Sequence, residues 1–227
     1  MSDEAERYSR AFEVELISDP DEKARQEARN GLRQFDEAIE QIEYWLQPGH
    51  AFRLRPSSIL SLNRRALEGI STFAGVYRPA AIAIQGSAHN PPGAHLVPEL
   101  IEQLCDFVNE NWSNSAIHLA AYLLWRMNWI HPFADGNGRT ARAVSYVVLC
   151  VRLGYRLPGT TTIPELISRD KQPYYRALEA ADKSISQGSA DVSGMEQLLE
   201  ELLASQLLSV LNQAKAPGGK ASSGSQA

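Results

Sequence analysis

Residues 131–142 read His-Pro-Phe-Ala-Asp-Gly-Asn-Gly-Arg-Thr-Ala-Arg, and most of the side-chain types that phosphate chemistry needs fall within that span. Gly136, Asn137 and Gly138 stand between two apolar stretches. Glycine takes positive φ without steric penalty, and asparagine tolerates it better than most residues. Successive N–H groups in such a turn converge into a concave nest for an anion. The helix that follows adds its partly positive N-terminus. Arg139 and Arg142, three residues apart, share a helical face, and their paired donors match phosphate oxygens. Together these residues make a polyphosphate cradle.

Asp135 stands beside that cradle, where a carboxylate is unfavourable unless a cation lies between it and the phosphates. Magnesium does this, sharing its octahedral shell between one or two carboxylates and phosphate oxygens. His131 opens the loop as a candidate general base, since its ordinary pKa lies near neutrality. Pro132 and Phe133 read as a stiffening residue and an apolar anchor. Each of these residues alone has a bland reading: Asp-Gly is a common turn pair, and most arginines on a helix face solvent. Their co-occurrence supplies the inventory for phosphoryl or nucleotidyl transfer, where catalysis is chiefly positioning and electrostatic stabilisation.

The elements that must position this loop are mostly helical. From Asp21 to Leu46, apolar residues including Ala28, Leu32, Phe35, Ile39 and Ile42 recur at three- and four-residue spacing, and Pro48-Gly49 ends the pattern. Ser57 and Ser58 offer caps for a second helix through Ile59, Leu62, Ala66 and Leu67. Helical spacing returns at Val97–Asn109, Ser115–Trp129, Gly138–Leu153, 164–184 and 191–212. The stretch from Gly75 to Pro98 differs: Tyr77, Ile82 and Ile84 are followed by Gly86 and Pro91-Pro92, which reads as a short β-hairpin or extended flap. The expected fold is all-α with that one excursion. Residues 1–20 form an N-terminal extension, 21–212 the domain, and 213–227 a low-complexity disordered tail rich in Gly and Ser.

Composition bounds the function. Of 227 residues, 44% are hydrophobic and 22% charged, as in ordinary globular proteins. The charged N-terminus has no signal-peptide pattern and no apolar run suggests a membrane helix, so a cytoplasmic protein is expected. A net charge of −5 without a basic block argues against nucleic-acid binding. Cys105 and Cys150, both in apolar helical stretches, read as buried side chains. His50, His89, His95 and His118 show no metal-ligand spacing. His118 reads as a packing residue, while His89 is a candidate to approach substrate. Trp112, Trp125 and Trp129 read as core.

The sequence resembles the Fic family (filamentation induced by cyclic AMP), whose signature is His-Pro-Phe-x-Asp/Glu-Gly-Asn-Gly-Arg-x-x-Arg. His131, Pro132, Phe133, Asp135, Gly136, Asn137, Gly138, Arg139 and Arg142 match it without departure. Gly75-Val76-Tyr77-Arg78 looks like the start of the family's flap, Ser87–Pro92 like its Ser-x-His-x-Pro-Pro stretch, and Pro173–Leu178 like a helix behind the active site. The resemblance implies an adenylyltransferase that moves AMP from Mg-ATP onto a Ser, Thr or Tyr hydroxyl of a protein substrate. His131 would then be the catalytic base and Asp135 the magnesium ligand. Gly136, Asn137 and Gly138 would bind the α-phosphate, and Arg139 and Arg142 the outer phosphates. A flap formed by Ile82, Ala83, Ile84, Gln85, Gly86 and Ser87 would align the target. Gly138 and Arg142 both match the adenylylating branch rather than its kinase-like and phosphocholine-transferring relatives.

Many relatives carry an inhibitory helix with a Ser/Thr-x-x-x-Glu-Gly/Asn pattern. Here Glu68-Gly69 is preceded by Arg64, and Ser18–Glu22 is followed by Lys23. Neither meets the pattern, which leaves open a separate antitoxin-like partner. Other nucleotidyl transfer, removal of AMP in the same site and a non-catalytic nucleotide-binding module remain as alternatives. A hydrolase using His131 and Asp135 as metal ligands is disfavoured, two ligands being too few.

Overall fold

A computed structural model of the chain describes residues 16–185 and 188–215. Eight α-helices run in order among the described residues: α1 Pro20–Trp45, α2 Pro56–Leu67, α3 Val97–Glu110, α4 Ala116–Ile130, α5 Asn137–Leu153, α6 Ile163–Arg169, α7 Gln172–Ile185 and α8 Ser193–Lys215. Several starts follow directly from sequence. The Asp19 carboxylate accepts from the N–H groups of Asp21 and Glu22 ahead of Pro20 in the first turn. The Ser115 hydroxyl accepts from His118 N–H. Helix α2 departs from expectation, since Pro56 takes its first turn and Arg55, rather than a serine, is the N-cap. Helix α8 runs on to Lys215, past the boundary expected at residue 212. The rest of the expected tail and residues 1–15 lie outside the described residues.

Helix α5 is the axis of the molecule. Its residues from Ala143 to Val151 are all buried, and a helix apolar on every side must be surrounded. α4 packs along it, α1 and α2 cover another side, and α8 closes the bundle against α4 and α7. Phe133, Trp125, Tyr174 and Leu124 are among the largest fully buried side chains. Cys105 and Cys150 are buried thiols within this core. The N-terminus of α5 opens on a cleft, and residues 131–136 connect it to α4 there.

The expected β-hairpin does not form: no strand occurs among the described residues. Pro79, Pro91 and Pro92 have no N–H to give a ladder, and no backbone hydrogen bond among the described residues joins the two arms, which are pinned to the body. Arg78 N–H donates to Pro132 C=O at 2.9 Å, and the His89 ring hydrogen-bonds Trp129 C=O at 2.7 Å. Between them the chain turns once, with Ser87 N–H donating to Ile84 C=O beside Gly86 at φ 74°. Among the described residues, the backbones of 81–83 and Gln85 make no hydrogen bond to another backbone group.

Candidate active site

A cleft of about 730 Å³ opens at the N-terminus of α5 and is lined by His131, Asp135, Gly136, Asn137, Gly138, Arg139 and Arg142. Ile84 and Ser87 close one side, while Ser168, Lys171, Tyr174, Tyr175, Leu178 and Asp182 form the wall opposite. All nine motif residues therefore lie in the cleft or, like fully buried Phe133, directly beneath it. Of the flap residues, Ile84 and Ser87 reach the cleft lining, and Ile82, Ala83, Gln85 and Gly86 do not.

His131 caps the C-terminus of α4 with φ 52° and ψ 61°, the only non-glycine residue at positive φ among the described residues. That left-handed conformation costs a histidine about 1 kcal/mol, and its N–H donates to Met127 C=O at 3.0 Å. The strain turns the ring back over the cleft, where Nδ1 lies 3.1 Å from Asn128 C=O. A carbonyl only accepts, so Nδ1 carries the proton and Nε2 is the basic nitrogen. Burial lowers the His131 pKa to about 4, and the charges of Arg78 and His89 act in the same direction against the raising effect of the Asn128 carbonyl. The imidazole is therefore neutral at physiological pH, the state a proton acceptor requires.

The anion nest is built by glycine and asparagine in different ways. Gly136, at φ 75°, is the N-cap of α5, and a Cβ there would lie 3.2 Å from Asn63 Nδ2. The Asn137 side chain is committed to the loop itself: it accepts from Phe133 N–H and donates to Phe133 C=O, both at 2.8 Å. These two bonds brace the loop just ahead of α5. Thr140 N–H returns to Gly136 C=O at 2.9 Å. The N–H groups of Asn137, Gly138 and Arg139 have no acceptor among the described residues and belong to the first turn, where no helical partner exists. N–H groups so placed are suited to receive an anion.

Gly138 has its own reason. A Cβ there would lie 3.2 Å from Arg142 Nη1, so the glycine lets the guanidinium fold across the helix start. Burial presses the Arg142 pKa down, with the Tyr174 and Tyr175 hydroxyls opposing this. Arg139 pairs with Asp135 at 3.3 Å, and Asp135 Oδ1 accepts from Gly136 N–H at 2.6 Å. No group of three His, Cys, Asp or Glu that could cage a metal occurs among the described residues. Magnesium in nucleotide sites needs no such cage, because phosphate oxygens and water complete its shell. A single carboxylate beside an anion nest, as Asp135 is, fits that mode of binding.

Several participants carry no local signal in sequence. Asn63, fully buried on α2, accepts from Gly75 N–H at 2.9 Å and donates at 3.2 Å to Asp135 C=O and Thr140 Oγ1. It joins α2, the start of the flap and the motif loop. Asp182 reaches the cleft held by Trp125 Nε1 at 2.9 Å. Trp129 lines the cleft although its sequence context reads as core, and His89 lines it beside Trp129. His118 instead pairs with Glu196 at 2.5 Å, tying α4 to α8. Glu68 pairs with Arg33 and Arg65 at 3.6 and 3.9 Å, while Glu27 of α1 lines the cleft.

A helical fold, the open first turn of its central helix and a buried neutral histidine thus meet in one cleft. Residues 53–149 match the model of the Fic/DOC family. The protein adenylyltransferases Fic of Drosophila willistoni and Drosophila grimshawi are 32% identical to it over 128 residues, which is 55% of this chain and 24% and 25% of theirs. The chain thus spans about a quarter of the length of these curated relatives. A Fic-domain-containing signalling protein from Bacteroides thetaiotaomicron has a similar structure, with TM-score 0.66 and 25% identity, covering 84% of this chain and 74% of that one. A Fic family protein from Desulfovibrio desulfuricans aligns with TM-score 0.64 and 23% identity over 88% of this chain and 57% of that one.

Proposed function

We propose that this chain is a protein adenylyltransferase, transferring AMP from Mg-ATP to a Ser, Thr or Tyr hydroxyl of a target protein. The observation that carries this reading is a buried imidazole, neutral at physiological pH, sharing one cleft with the N-terminus of α5. The target oxygen would attack the α-phosphorus, His131 Nε2 taking its proton as the new O–P bond forms. The bond from the α-phosphorus to its bridging oxygen would break and release pyrophosphate. The N–H groups of Asn137, Gly138 and Arg139 would receive the charge developing on the α-phosphate. Arg139 and Arg142 would hold the outer phosphates. Asp135 would hold the magnesium ion, which supplies charge neutralisation among the phosphates when bound. The aromatic and apolar wall of α7, with Tyr174, Tyr175 and Leu178, would take the nucleobase.

The target would lie along the flap. Backbone groups of 81–83 without helix or sheet partners are suited to pairing with an extended peptide. No helix among the described residues is long and apolar enough to cross a membrane.

The test uses ATP labelled at the α- or the γ-phosphate, magnesium and a cell lysate. Label from the α-position alone should enter protein and disappear in His131→Ala. Label from the γ-position would make the protein a kinase. ATP binding with neither label retained would make it a binding module.

A further inference from the structure

The Arg78 guanidinium is 2% exposed, and among the described residues no carboxylate pairs with it. Instead it is surrounded by carbonyl oxygens. Nε donates to His131 C=O at 2.7 Å, and Nη1 to Ala80 C=O at 2.9 Å. Nη2 donates to Pro92 C=O, with Ile130 C=O at 3.5 Å. Its own backbone N–H donates to Pro132 C=O at 2.9 Å. Ala80 and Pro92 are the two feet of the flap. Ile130 and His131 are the end of α4, whose last carbonyls have no intrahelical donors and form the negative end of the helix dipole.

We infer that Arg78 is a positioning residue that locks both feet of the flap to the strained backbone of His131, so that the surface seating the target and the base facing it are held as one unit. Its planar fork is what allows this. The donors point to both feet and to the helix end at once, which a lysine ammonium, a single point on a flexible stem, cannot reproduce. The left-handed turn at His131 is maintained because its carbonyl is drawn to Nε of Arg78. Breaking the clamp releases the flap and lets the ring leave its place over the cleft. Burial pushes the Arg78 pKa down, but a guanidinium stays charged. That charge and His89 act on His131, with Arg139, Arg142 and Asp135 lining the same cleft.

The flap's part in this rests on the proposed transfer reaction, whereas the clamp itself can be measured without it. Hydrogen exchange on Arg78→Gln should show the hydrogen-bonded amides of Ser87 and His89 on the flap, and of His131 and Phe133, losing protection together, with α3 and the middle of α5 unchanged. Transfer should lose about 100-fold in kcat, the scale of an ångström's misplacement, with KM for ATP within a factor of about 2, because the phosphate site is elsewhere. Arg78→Lys should fall between wild type and Arg78→Gln in both measurements, and it decides the matter if the glutamine variant does not fold. An unchanged kcat, or loosening of only one of the two segments, would overturn the inference. If the wild type itself transfers nothing, the transfer reading fails and the exchange experiment still judges the clamp.

Discussion

The imidazole of His131 is buried away from water, which is costly for a protonated histidine and favourable for a neutral one. With a pKa near 4 instead of the usual 6.5, kcat/KM should stay flat from pH 8 down to about pH 5, since kcat/KM reports ionisations of the unbound enzyme. An acid limb centred near 6.5 would show that the imidazole titrates as if exposed. The same depression links folding to pH. Between the two values the unfolded chain binds the extra proton, so stability is fully present above 6.5 and is lost as pH falls towards 4. Urea midpoints should record a loss of about 2 kcal/mol between pH 7 and pH 5 that His131→Ala does not show. Asn137 makes a different argument. Both ends of its amide are used by Phe133. Asn137→Ala leaves a buried donor and acceptor unmet and should destabilise by about 2–4 kcal/mol, measured by denaturant titration.

At the scale of elements, the start of α5 separates stability from activity. Gly138 lies in ordinary helical backbone, so Gly138→Ala should be neutral or gain up to about 1 kcal/mol in thermal unfolding. Its new methyl would press on Arg142 Nη1 at 3.2 Å, and KM for ATP should rise about 10-fold, as loss of one well-made phosphate contact would give. A rise in KM accompanied by unfolding would refute that division of roles. The helices were legible from periodicity because each has one apolar face, and the motif loop was legible because its chemistry is contiguous. The flap was not. Alternating Tyr77, Ile82 and Ile84 read as strand, but strands need ladder partners. The prolines and the clamp at Arg78 tie the arms to α4 instead. Asn63, a polar residue in a helix with no local partner, gave no warning that it joins three segments 12 to 77 residues away.

For the whole molecule, a nucleotide that binds only the folded state should raise its melting temperature. Mg-ATP at 100 times its Kd adds about 2.7 kcal/mol, or roughly 5–10 °C for a chain of this size. Arg142→Ala should remove most of that shift, and an unshifted wild type would count against the cleft as a triphosphate site. Sequence alone determined the nest, the candidate base and the helical class, because each depends on residues close along the chain, where spacing fixes geometry. Tertiary structure alone decided that His131 is neutral, that the Asn137 side chain bonds the loop, and which residues of α7 line the cleft. Those depend on burial and on partners brought together only when α4, α5 and α7 pack, since desolvation and hydrogen bonding act through space and are blind to distance along the chain.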